Sequence, residues 1–526
     1  MKRPDPTAAP ASARLKQQRE NQMPGRPPNI LIVMVDQLAP AFLPIHGHRI
    51  VRAPNLEALA AQGVVFDSAY CNSPLCSPSR AVFMTGRLPS RSGVYDNAAE
   101  FRADIPTYAH HLRNLGYRTI LSGKMHFCGP DQLHGFEQRL TTDIYPADYG
   151  WTPDWDDPLA RPDWYHNMSS VTEAGLCLRT NQLDFDDEVT FTAERALYDL
   201  ARSRDERPFL LVASLTHPHD PFAIPERWWD LYRDEDIALP AMAAARDPHS
   251  LRLRHVCAMD AQSPSATQIR AARRAYFGAI SYVDANLGRL TTALRETGLA
   301  DDTVVMFLGD HGEMLGERGL WFKMTFFEGG ARVPLVIAAP GRFAPGRVAA
   351  SVSLVDLLPT LVDLAGGDGA ALEGIDGRSL LPHLRGGAGH DEVVGEYCAE
   401  GAIAPIVMIR RGRWKFIHSA PDPDQLYDLV ADPGEQDNLA GRADHADVVA
   451  GLRAEVAQRW DLRALDAQVR ESQRRRRLVD AALNKGAAHS WDFQPFRDAA
   501  RSYVRNTIPL DDLEAMARFP PVAAQK

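Results

Sequence analysis

A cysteine and an arginine lie four residues apart in the segment CNSPLCSPSR, which covers residues 71–80. In a helix this spacing puts Cys76 and Arg80 on one face, one turn apart. A structural thiol does not need a neighbouring arginine, and a disulfide partner would more naturally lie across the fold than at Cys71. The pair therefore suggests reaction chemistry, and its other participants must come from elsewhere in the chain.

Four apolar runs, residues 29–35, 117–122, 208–215 and 303–309, are each followed by polar side chains. Nearly continuous Val, Ile and Leu suit strands that are buried on both faces of a parallel sheet. Ligands of such sheets bind beyond the carboxyl ends of the strands, so we expect these side chains to share one edge. They are Asp36 and Gln37, Lys124 and His126, His217 and His219, and Asp310 and His311.

The fold class follows from these runs and from the helical stretches between them. Residues 55–63 and 282–298 are amphipathic and end at glycines, as helices often do. We expect an α/β fold with a mostly parallel central sheet sandwiched by helices. Residues 411–419 and 425–441 resemble short antiparallel strands, which predict a smaller C-terminal α+β subdomain before a helical tail.

The polar set also predicts a metal site. Asp36, Gln37 and Asp310 offer hard oxygen donors, with His311 beside them. These donors suit an oxygen-preferring divalent cation such as Ca²⁺ or Mg²⁺. A thiolate from Cys76 would be a poor ligand for that cation, which suggests that residue 76 presents an oxygen instead.

The segment CSPSR at 76–80 resembles the Cys-x-Pro-x-Arg signature of the sulfatase family, and TGRLPSRSGVYDN follows it as in that family. The resemblance covers roughly residues 28–440 and implies an alkaline-phosphatase-like core. It implies that a formylglycine-generating enzyme oxidises Cys76 to formylglycine. One hydroxyl of the hydrated aldehyde attacks sulfur in that family, and the second then expels sulfate from the covalent ester.

The resemblance also implies roles for the other polar residues. Arg80 holds the nucleophile, Lys124 and Lys323 bind the sulfate, His219 protonates the leaving alkoxide, and His126 serves the diol. Asn97 matches a substrate-binding asparagine. The implied metal ligands are Asp36, Gln37, residue 76, Asp310 and His311. Ca²⁺ is the first expectation, with Mg²⁺ and Mn²⁺ as alternatives.

The substrate is predicted from residues 141–170, which are crowded with aromatic and acidic side chains. A quaternary ammonium cannot donate hydrogen bonds, so aromatic faces and nearby carboxylates recognise it. This segment and the C-terminal sequence resemble the choline-sulfatase branch of the family, which cleaves choline-O-sulfate. The resemblance places Trp151, His166 and Asn167 around the trimethylammonium, with Glu396 or Glu400 adding charge. The segment also contains Tyr145, Tyr149, Asp154, Trp155, Asp156, Trp164 and Tyr165, among other acidic residues.

Simpler interpretations stay open for single residues. Any one tryptophan of the segment is more simply a packing residue of a surface loop, and His217 alone is more simply a hydrogen-bonded bystander. A phosphonate or phosphate monoester hydrolase of the same superfamily is an alternative enzyme, although clustered carboxylates would not help its substrate. A quaternary-amine binding protein on an inactive scaffold would have lost catalytic residues, whereas this chain keeps them all.

Length, charge and cysteine content limit the remaining possibilities. The 526 residues carry a formal charge of −10, which argues against a dedicated nucleic-acid surface. The first 28 residues lack the apolar region of a secretory signal, and no stretch is long and apolar enough to span a bilayer. The six cysteines show no CxxC spacing, which favours a reducing cytoplasm.

The predicted organisation has four parts. Residues 1–27 form a disordered tail and residues 28–385 the catalytic domain. Residues 386–460 form the small antiparallel-sheet subdomain. Residues 461–526, which include the aromatic and acidic segment WDFQPF, form a tail that we expect to pack on a neighbouring subunit. The prediction is a homo-oligomer, either a dimer or a tetramer.

Overall fold

The main element of the fold is an eight-stranded sheet in the order β10-β2-β9-β8-β1-β6-β3-β4. The structure is a computed structural model that describes residues 27–161, 166–496 and 509–520. The strands of this sheet are β1 (Asn29–Val35), β2 (Gly63–Tyr70), β3 (Arg118–Gly123), β4 (Gln138–Arg139), β6 (Phe209–Ser214), β8 (Thr303–Gly309), β9 (Leu335–Ala338) and β10 (Gly346–Ser353).

Strand β1 lies near the middle of the sheet and pairs in parallel with both β6 and β8. Residues Ile30 to Val35 are fully buried, because helices cover both faces of the sheet. Strand β9 runs antiparallel to β2 and β8 and is the exception to the parallel arrangement. The predicted α/β class with a mostly parallel sheet is therefore confirmed.

Helices connect the strands. The longest, α9, begins with a capping box formed by Ser265 and Gln268 and has 31 residues. The helix begins at Ala266, well before residue 282, where the predicted helical stretch starts. The helices are α1 (Pro54–Ala60), α2 (Cys76–Thr85), α3 (Pro89–Ser92), α4 (Tyr108–Asn114), α5 (Ser169–Thr172), α6 (Asn181–Arg202), α7 (Glu226–Trp229), α8 (Pro248–Val256), α9 (Ala266–Glu296), α10 (Glu328–Ala331), α11 (Leu357–Leu364), α12 (Leu381–Leu384), α13 (Ala446–Arg459), α14 (Leu462–Leu483) and α15 (Leu510–Ala517).

A second sheet of four antiparallel strands forms the predicted C-terminal element. Met408 and Ile417 extend the main hydrophobic core, whereas Val407 and Phe416 pack with residues of α13. The strands of this sheet are β11 (Glu392–Tyr397), β12 (Ile406–Arg411), β13 (Trp414–His418) and β14 (Gln425–Asp428), and a separate short pair consists of β5 (Gly175–Leu176) and β7 (Ala223–Ile224).

The proposed domain boundaries stay predictions, and the predicted tail at 1–27 lies outside the described residues except for residue 27. None of the helices in the described part of the chain combines the length and apolarity that a bilayer crossing needs. All six cysteines are free thiols, and each except Cys177 is buried.

The buried His134 ring makes the stability of the fold depend on pH. It stacks on Phe101 with centroids 4.0 Å apart and lies edge-on to Phe127. Burial lowers the pKa of His134 to about 4, although Asp131 opposes the shift. Between pH 6.5, the ordinary value, and about 4, the unfolded chain binds a proton that the folded chain excludes. This contribution to stability is therefore complete above pH 6.5 and is lost as the pH falls toward 4.

We expect a His134→Gln variant to lose less stability on acidification than the wild type. The slope of unfolding free energy against pH should be shallower by up to ~1.4 kcal/mol per pH unit. Urea unfolding at pH values between 7 and 4 would measure this, with the exposed His489→Gln variant as the matched control. Identical slopes for His134→Gln and the wild type would contradict the prediction.

Candidate active site

Strands β1, β3, β6 and β8 are neighbours in the central sheet and run in parallel, so they end at the same edge. Val35 pairs with Gly309, which puts the next residues, Asp36 and Asp310, side by side. The side chains that follow the four strands are buried at this edge. The prediction that separate strands deliver polar side chains to one edge of the sheet is confirmed, although the ring of His217 pairs with Asp186.

Helix α2 begins at Cys76 and places Arg80 one turn later. The backbone N–H of Ser77 donates to Asn97 Oδ1 at 3.0 Å, so the predicted substrate-binding asparagine lies at the helix start. Cys76 Sγ lies 3.2 Å from His311 Nε2. The signature cysteine therefore meets the residues that end β8.

Arg80 is fully buried, and each of its nitrogens has a partner. Its Nε donates to Asp310 Oδ2 at 2.8 Å, and its Nη2 donates to Asp36 Oδ2 at 3.1 Å. Its Nη1 donates to Ser214 Oγ at 2.8 Å and to the carbonyl of Lys124 at 2.6 Å. One guanidinium thus bridges and orients both aspartates.

Potential ligand atoms of Asp36, Cys76, Asp310 and His311 all lie within 4.8 Å of one another. Each aspartate turns Oδ2 toward the guanidinium, which leaves Oδ1 3.5 or 3.6 Å from His311 Nε2. His311 Nδ1 donates to the carbonyl of Gly312 at 3.1 Å, so Nε2 keeps its lone pair toward the cluster. Two carboxylate oxygens and an imidazole nitrogen therefore converge, and this donor set fits a divalent cation.

Asp36 remains ionised although it is buried. Burial raises its pKa, but the positive charges of Lys124 and Arg80, together with the neighbouring His219 ring, outweigh burial and hold the pKa well below the ordinary value. Lys124 Nζ contacts Asp36 Oδ2 directly. The positive charges of Arg80 and Lys124 balance the negative charges of Asp36 and Asp310. A divalent ion would therefore give the site a net positive charge, which suits an anionic ester.

Lys323 lies beside His219 and Gln37. Its Nζ is 2.7 Å from His219 Nε2 and donates to Gln37 Oε1 at 2.5 Å. Burial lowers the pKa of Lys323, but nearby acidic groups, first Cys76 and Asp36, outweigh it and raise the pKa. The side-chain oxygen of Gln37 therefore meets an ammonium, and its role as a direct metal ligand stays a prediction.

His219 has a defined tautomer. Its Nδ1 lies 2.6 Å from the carbonyl of Asp220 and 3.2 Å from that residue's carboxylate, so Nδ1 carries the proton. Burial and the neighbouring Lys323 lower the pKa of His219 well below its ordinary value. Its Nε2 accepts from the ammonium at 2.7 Å. The lysine and histidine together hold a proton that a leaving alkoxide can take.

Tyr145 and Trp151 form an aromatic wall above these groups. The Lys124 Nζ lies 4.1 Å from the centre of the Tyr145 ring, and the Tyr145 hydroxyl is 3.5 Å from His219 Nδ1. Trp151 lies edge-on to Tyr145 and to His126, with centroids 5.1 and 5.7 Å away. Trp151 therefore adjoins the catalytic candidates, as the sequence predicted for a substrate-binding residue.

The backbone of His126 has the unusual φ of 56°. The carboxylate of Asp143 accepts from its N–H at 2.9 Å. Burial lowers the pKa of His126, although the neighbouring Cys76 opposes the shift. A neutral imidazole beside residue 76 suits a proton acceptor.

His166 stacks on Phe322 with centroids 4.6 Å apart. Its Nδ1 lies 3.4 Å from Asp220 Oδ1. Asn167, in contrast, uses Oδ1 to accept from the backbone N–H of Ser169 at 2.8 Å. His166 thus reaches the site through the carboxylate beside His219, while the amide oxygen of Asn167 is engaged locally.

The side chain of Glu396 also has partners outside the group of predicted site residues. Its carboxylate accepts from the N–H and hydroxyl of Ser90, both at 2.7 Å, and from Trp460 Nε1 at 2.7 Å. These contacts join strand β11 to helix α3 and to the residue that follows helix α13. Glu400 is also buried, and the carbonyl of the preceding residue, Ala399, accepts from Trp155 Nε1 at 3.0 Å. Of the two glutamates, Glu400 is therefore the one that borders the aromatic segment.

The acidic residues of the aromatic segment pair with the basic run on α14. Asp156 accepts from Arg474 Nε at 2.9 Å, and Asp154 forms an ion pair with Arg477. These two carboxylates are therefore paired with α14, and a contribution from them to a choline pocket stays a prediction. Trp155 is buried against the same helix. Trp164 and Tyr165 lie outside the described residues.

Three residues of the site were not singled out from the sequence. Asp220 follows His219 at the end of β6, and Glu313 lies three residues after Asp310. The rule that polar residues follow parallel strands applied to both. Tyr145 was noted among many aromatic residues, and no signal in the sequence distinguished it from Tyr149, whose hydroxyl donates to Glu100.

Three comparisons with known proteins agree with this geometry. The family profile described as Sulfatase matches residues 28–367, and one described as Choline sulfatase enzyme C terminal matches residues 467–519. A choline-sulfatase of Rhizobium meliloti (strain 1021) is 52% identical and covers 94% of this chain and 98% of the relative. An arylsulfatase of Clostridium perfringens is 28% identical over 81% of this chain and 93% of its own.

Among solved structures, a phosphonate monoester hydrolase of Agrobacterium radiobacter is similar with a TM-score of 0.65 and 27% identity. It covers 84% of this chain and 96% of its own. The resemblance drawn from CSPSR is confirmed by the profile over more than half of the chain and by a relative of more than half identity. The chain belongs to the sulfatase family and is a sulfuric ester hydrolase.

Proposed function

We propose that this enzyme hydrolyses choline-O-sulfate to choline and sulfate, with a formylglycine derived from Cys76 as nucleophile. The observation that carries the substrate assignment is the wall of Tyr145 and Trp151 beside His126 and Lys124. Aromatic faces attract a quaternary ammonium. The choline-sulfatase relative at 52% identity supports the same substrate.

The residues around residue 76 supply the rest of the proposed reaction. Arg80 orients the hydroxyls of the hydrated formylglycine, and Lys124 and Lys323 bind the ester's sulfate oxygens. The ionised hydroxyl oxygen of residue 76 forms a bond to sulfur as the bond from sulfur to the choline oxygen breaks, and the pair of Lys323 and His219 gives that leaving oxygen a proton. His126 then takes the proton of the second hydroxyl, and sulfate leaves residue 76 as the aldehyde forms again.

A divalent cation belongs to this proposal, with Ca²⁺ as the first candidate and Mg²⁺ or Mn²⁺ as alternatives. Asp36, Asp310, His311, residue 76 and, as a further candidate, Gln37 would hold it. When bound, it supplies positive charge that lowers the pKa of the nucleophilic hydroxyl and neutralises the ester. The fit of the donor set supports this assignment.

The proposed choline pocket contains Asn97, Trp151, His166 and Asn167. Of the two glutamates, Glu400 is the better candidate to supply the negative charge of this pocket, because Ser90 and Trp460 already donate hydrogen bonds to the carboxylate of Glu396. We also propose conversion by a formylglycine-generating enzyme, a cytoplasmic location and a homo-oligomer built through the C-terminal tail. Six cysteines without a disulfide support a reducing compartment.

The test is kcat/KM for choline-O-sulfate, 4-nitrophenyl sulfate and phenyl phosphonate, measured with one preparation whose residue 76 has been characterised by peptide mass. We expect choline-O-sulfate to be preferred by about 100-fold or more. Preference for the phosphonate, the chemistry named for the Agrobacterium radiobacter neighbour, would overturn the substrate while keeping the nucleophile.

Trp151→Ala separates choline recognition from sulfate chemistry. We expect KM for choline-O-sulfate to rise by about 5- to 30-fold, the loss of one desolvated cation–π contact. KM for 4-nitrophenyl sulfate, which has no ammonium, should change far less. Trp229→Ala is the matched control, since Trp229 also lies over a cation, Arg274, but on helix α7. An equal rise for both substrates would contradict the assignment of Trp151.

A further inference from the structure

Glu313 is a fully buried carboxylate that the proposed reaction does not use. Its Oε1 accepts from the backbone N–H groups of Leu315 and Phe322 at 2.6 and 2.8 Å. Its Oε2 accepts from Gln37 Nε2 at 2.5 Å. Two of the three bonds fix the loop that leads to Lys323, and the third reaches the active site.

Gln37 is held from several sides. Its carbonyl accepts from the Tyr276 hydroxyl at 2.7 Å, and its N–H donates to Asp310 Oδ1 at 3.0 Å, which together fix its backbone. The amide nitrogen of its side chain also faces Asp220 Oδ1 at 3.2 Å. The amide oxygen accepts from Lys323 Nζ at 2.5 Å.

The two ends of an amide have nearly the same shape, so the surrounding partners decide which end points where. Glu313 and Asp220 each turn a carboxylate oxygen toward Gln37, and these two acceptors therefore select its nitrogen end. The oxygen end is left for Lys323, which only donates. A reversed amide would put an N–H group against the Lys323 ammonium.

We propose that Glu313 is a positioning residue that sets the orientation of the Gln37 amide and, through it, the position of the Lys323 ammonium. The inference rests on the proposed role of Lys323 in binding the sulfate. Glu313 itself does not touch the substrate in this arrangement. It acts across one side chain, and its effect reaches the ester through the lysine.

Glu313→Gln tests the proposal with little change of shape. Its oxygen can still accept from Leu315 and Phe322, so the loop keeps both backbone bonds. Its new amide nitrogen faces the amide nitrogen of Gln37, so two donors oppose each other. We expect kcat/KM for 4-nitrophenyl sulfate to fall by about 10- to 100-fold, as for the loss of one charge-assisted hydrogen bond.

The exchange variant, Gln37→Glu with Glu313→Gln, restores a donor opposite an acceptor. Residue 37 then accepts both from residue 313 and from Lys323. In both the single Gln37→Glu variant and the double variant, Asp220 faces a carboxylate at position 37. The repulsion between these two carboxylates is therefore the same in both variants and cancels when they are compared. If the two positions were independent, the relative kcat/KM of the double variant would equal the product of the relative kcat/KM values of the two single variants. We expect the measured value to exceed that product by at least about fivefold, and this ratio measures the coupling between the two positions.

Two further measurements define a negative result. The inhibition constant for inorganic sulfate should rise in Glu313→Gln, because Lys323 is displaced, whereas the thermal midpoint should stay close to that of Glu317→Gln. Glu317, on the same loop, pairs with Arg273 and serves as the control with wild-type activity expected. Wild-type kcat/KM in Glu313→Gln, or single effects that simply multiply, would overturn the inference. A wild-type enzyme inactive toward every sulfate ester would instead overturn the proposed function.

Discussion

A Cys76→Ser variant is expected to fold normally and to lose turnover by about 10³-fold or more, as removal of a covalent nucleophile does. Serine has nearly the shape of cysteine and fits the same buried position at the start of α2. It lacks the thiol that the proposed modification oxidises, so no geminal diol forms. Initial rates with choline-O-sulfate and thermal unfolding of the same samples measure the two halves of the prediction.

Cys71→Ser is the matched control because its thiol is equally buried five residues earlier. Burial raises the pKa of Cys71 well above its ordinary value, so the thiol stays protonated and unreactive. Activity per folded molecule should therefore be unchanged in this control. Near-wild-type turnover in Cys76→Ser would refute the formylglycine mechanism.

Arg80→Met is expected to have the largest effect on stability. Removing the guanidinium leaves Asp36 and Asp310 buried with one cation fewer, and breaking a buried ion pair costs about 3–5 kcal/mol. Arg80→Lys should recover only part of this, since an ammonium cannot reach both carboxylates and Ser214 in the same plane. Urea unfolding at a fixed concentration of divalent cation measures both variants.

The exposed pair of Arg102 and Asp104 provides the comparison. Water solvates both of these charges, so Arg102→Met should leave the unfolding midpoint unchanged. Equal losses in Arg80→Met and Arg102→Met would show that the buried arginine does not stabilise the aspartates. Activity should vanish in Arg80→Met, because the carboxylates that point at residue 76 lose their fixed orientation.

The sequence predicted the edge of the sheet well because the signal is local. Each apolar run carries its own polar ending, and parallel pairing aligns those endings without further information. Asp36, Lys124, His219 and Asp310 were found in this way. The antiparallel direction of β9 was not predicted, since a short apolar run carries no sign of its direction.

Partner choice over long distances was beyond the sequence. Glu396 and Asp156 were both interpreted as charges for a choline pocket, yet Ser90 and Arg474 engage them. A carboxylate looks the same in a sequence whether it faces a ligand or a cation of the same protein. Asp220 was overlooked for the same reason, because only the fold shows that two histidines share it.

The state of the six cysteines has a practical consequence. No pair of them is oxidised to a disulfide, so every unmodified cysteine is a free thiol when the protein is denatured without a reductant. The proposed conversion of Cys76 would remove one sulfur, so a thiol titration with a chromogenic disulfide would report the converted fraction directly. Six titrated thiols per chain would mean no conversion, and five would mean complete conversion. The thiol count would therefore give the concentration of active enzyme in a preparation without the use of a substrate.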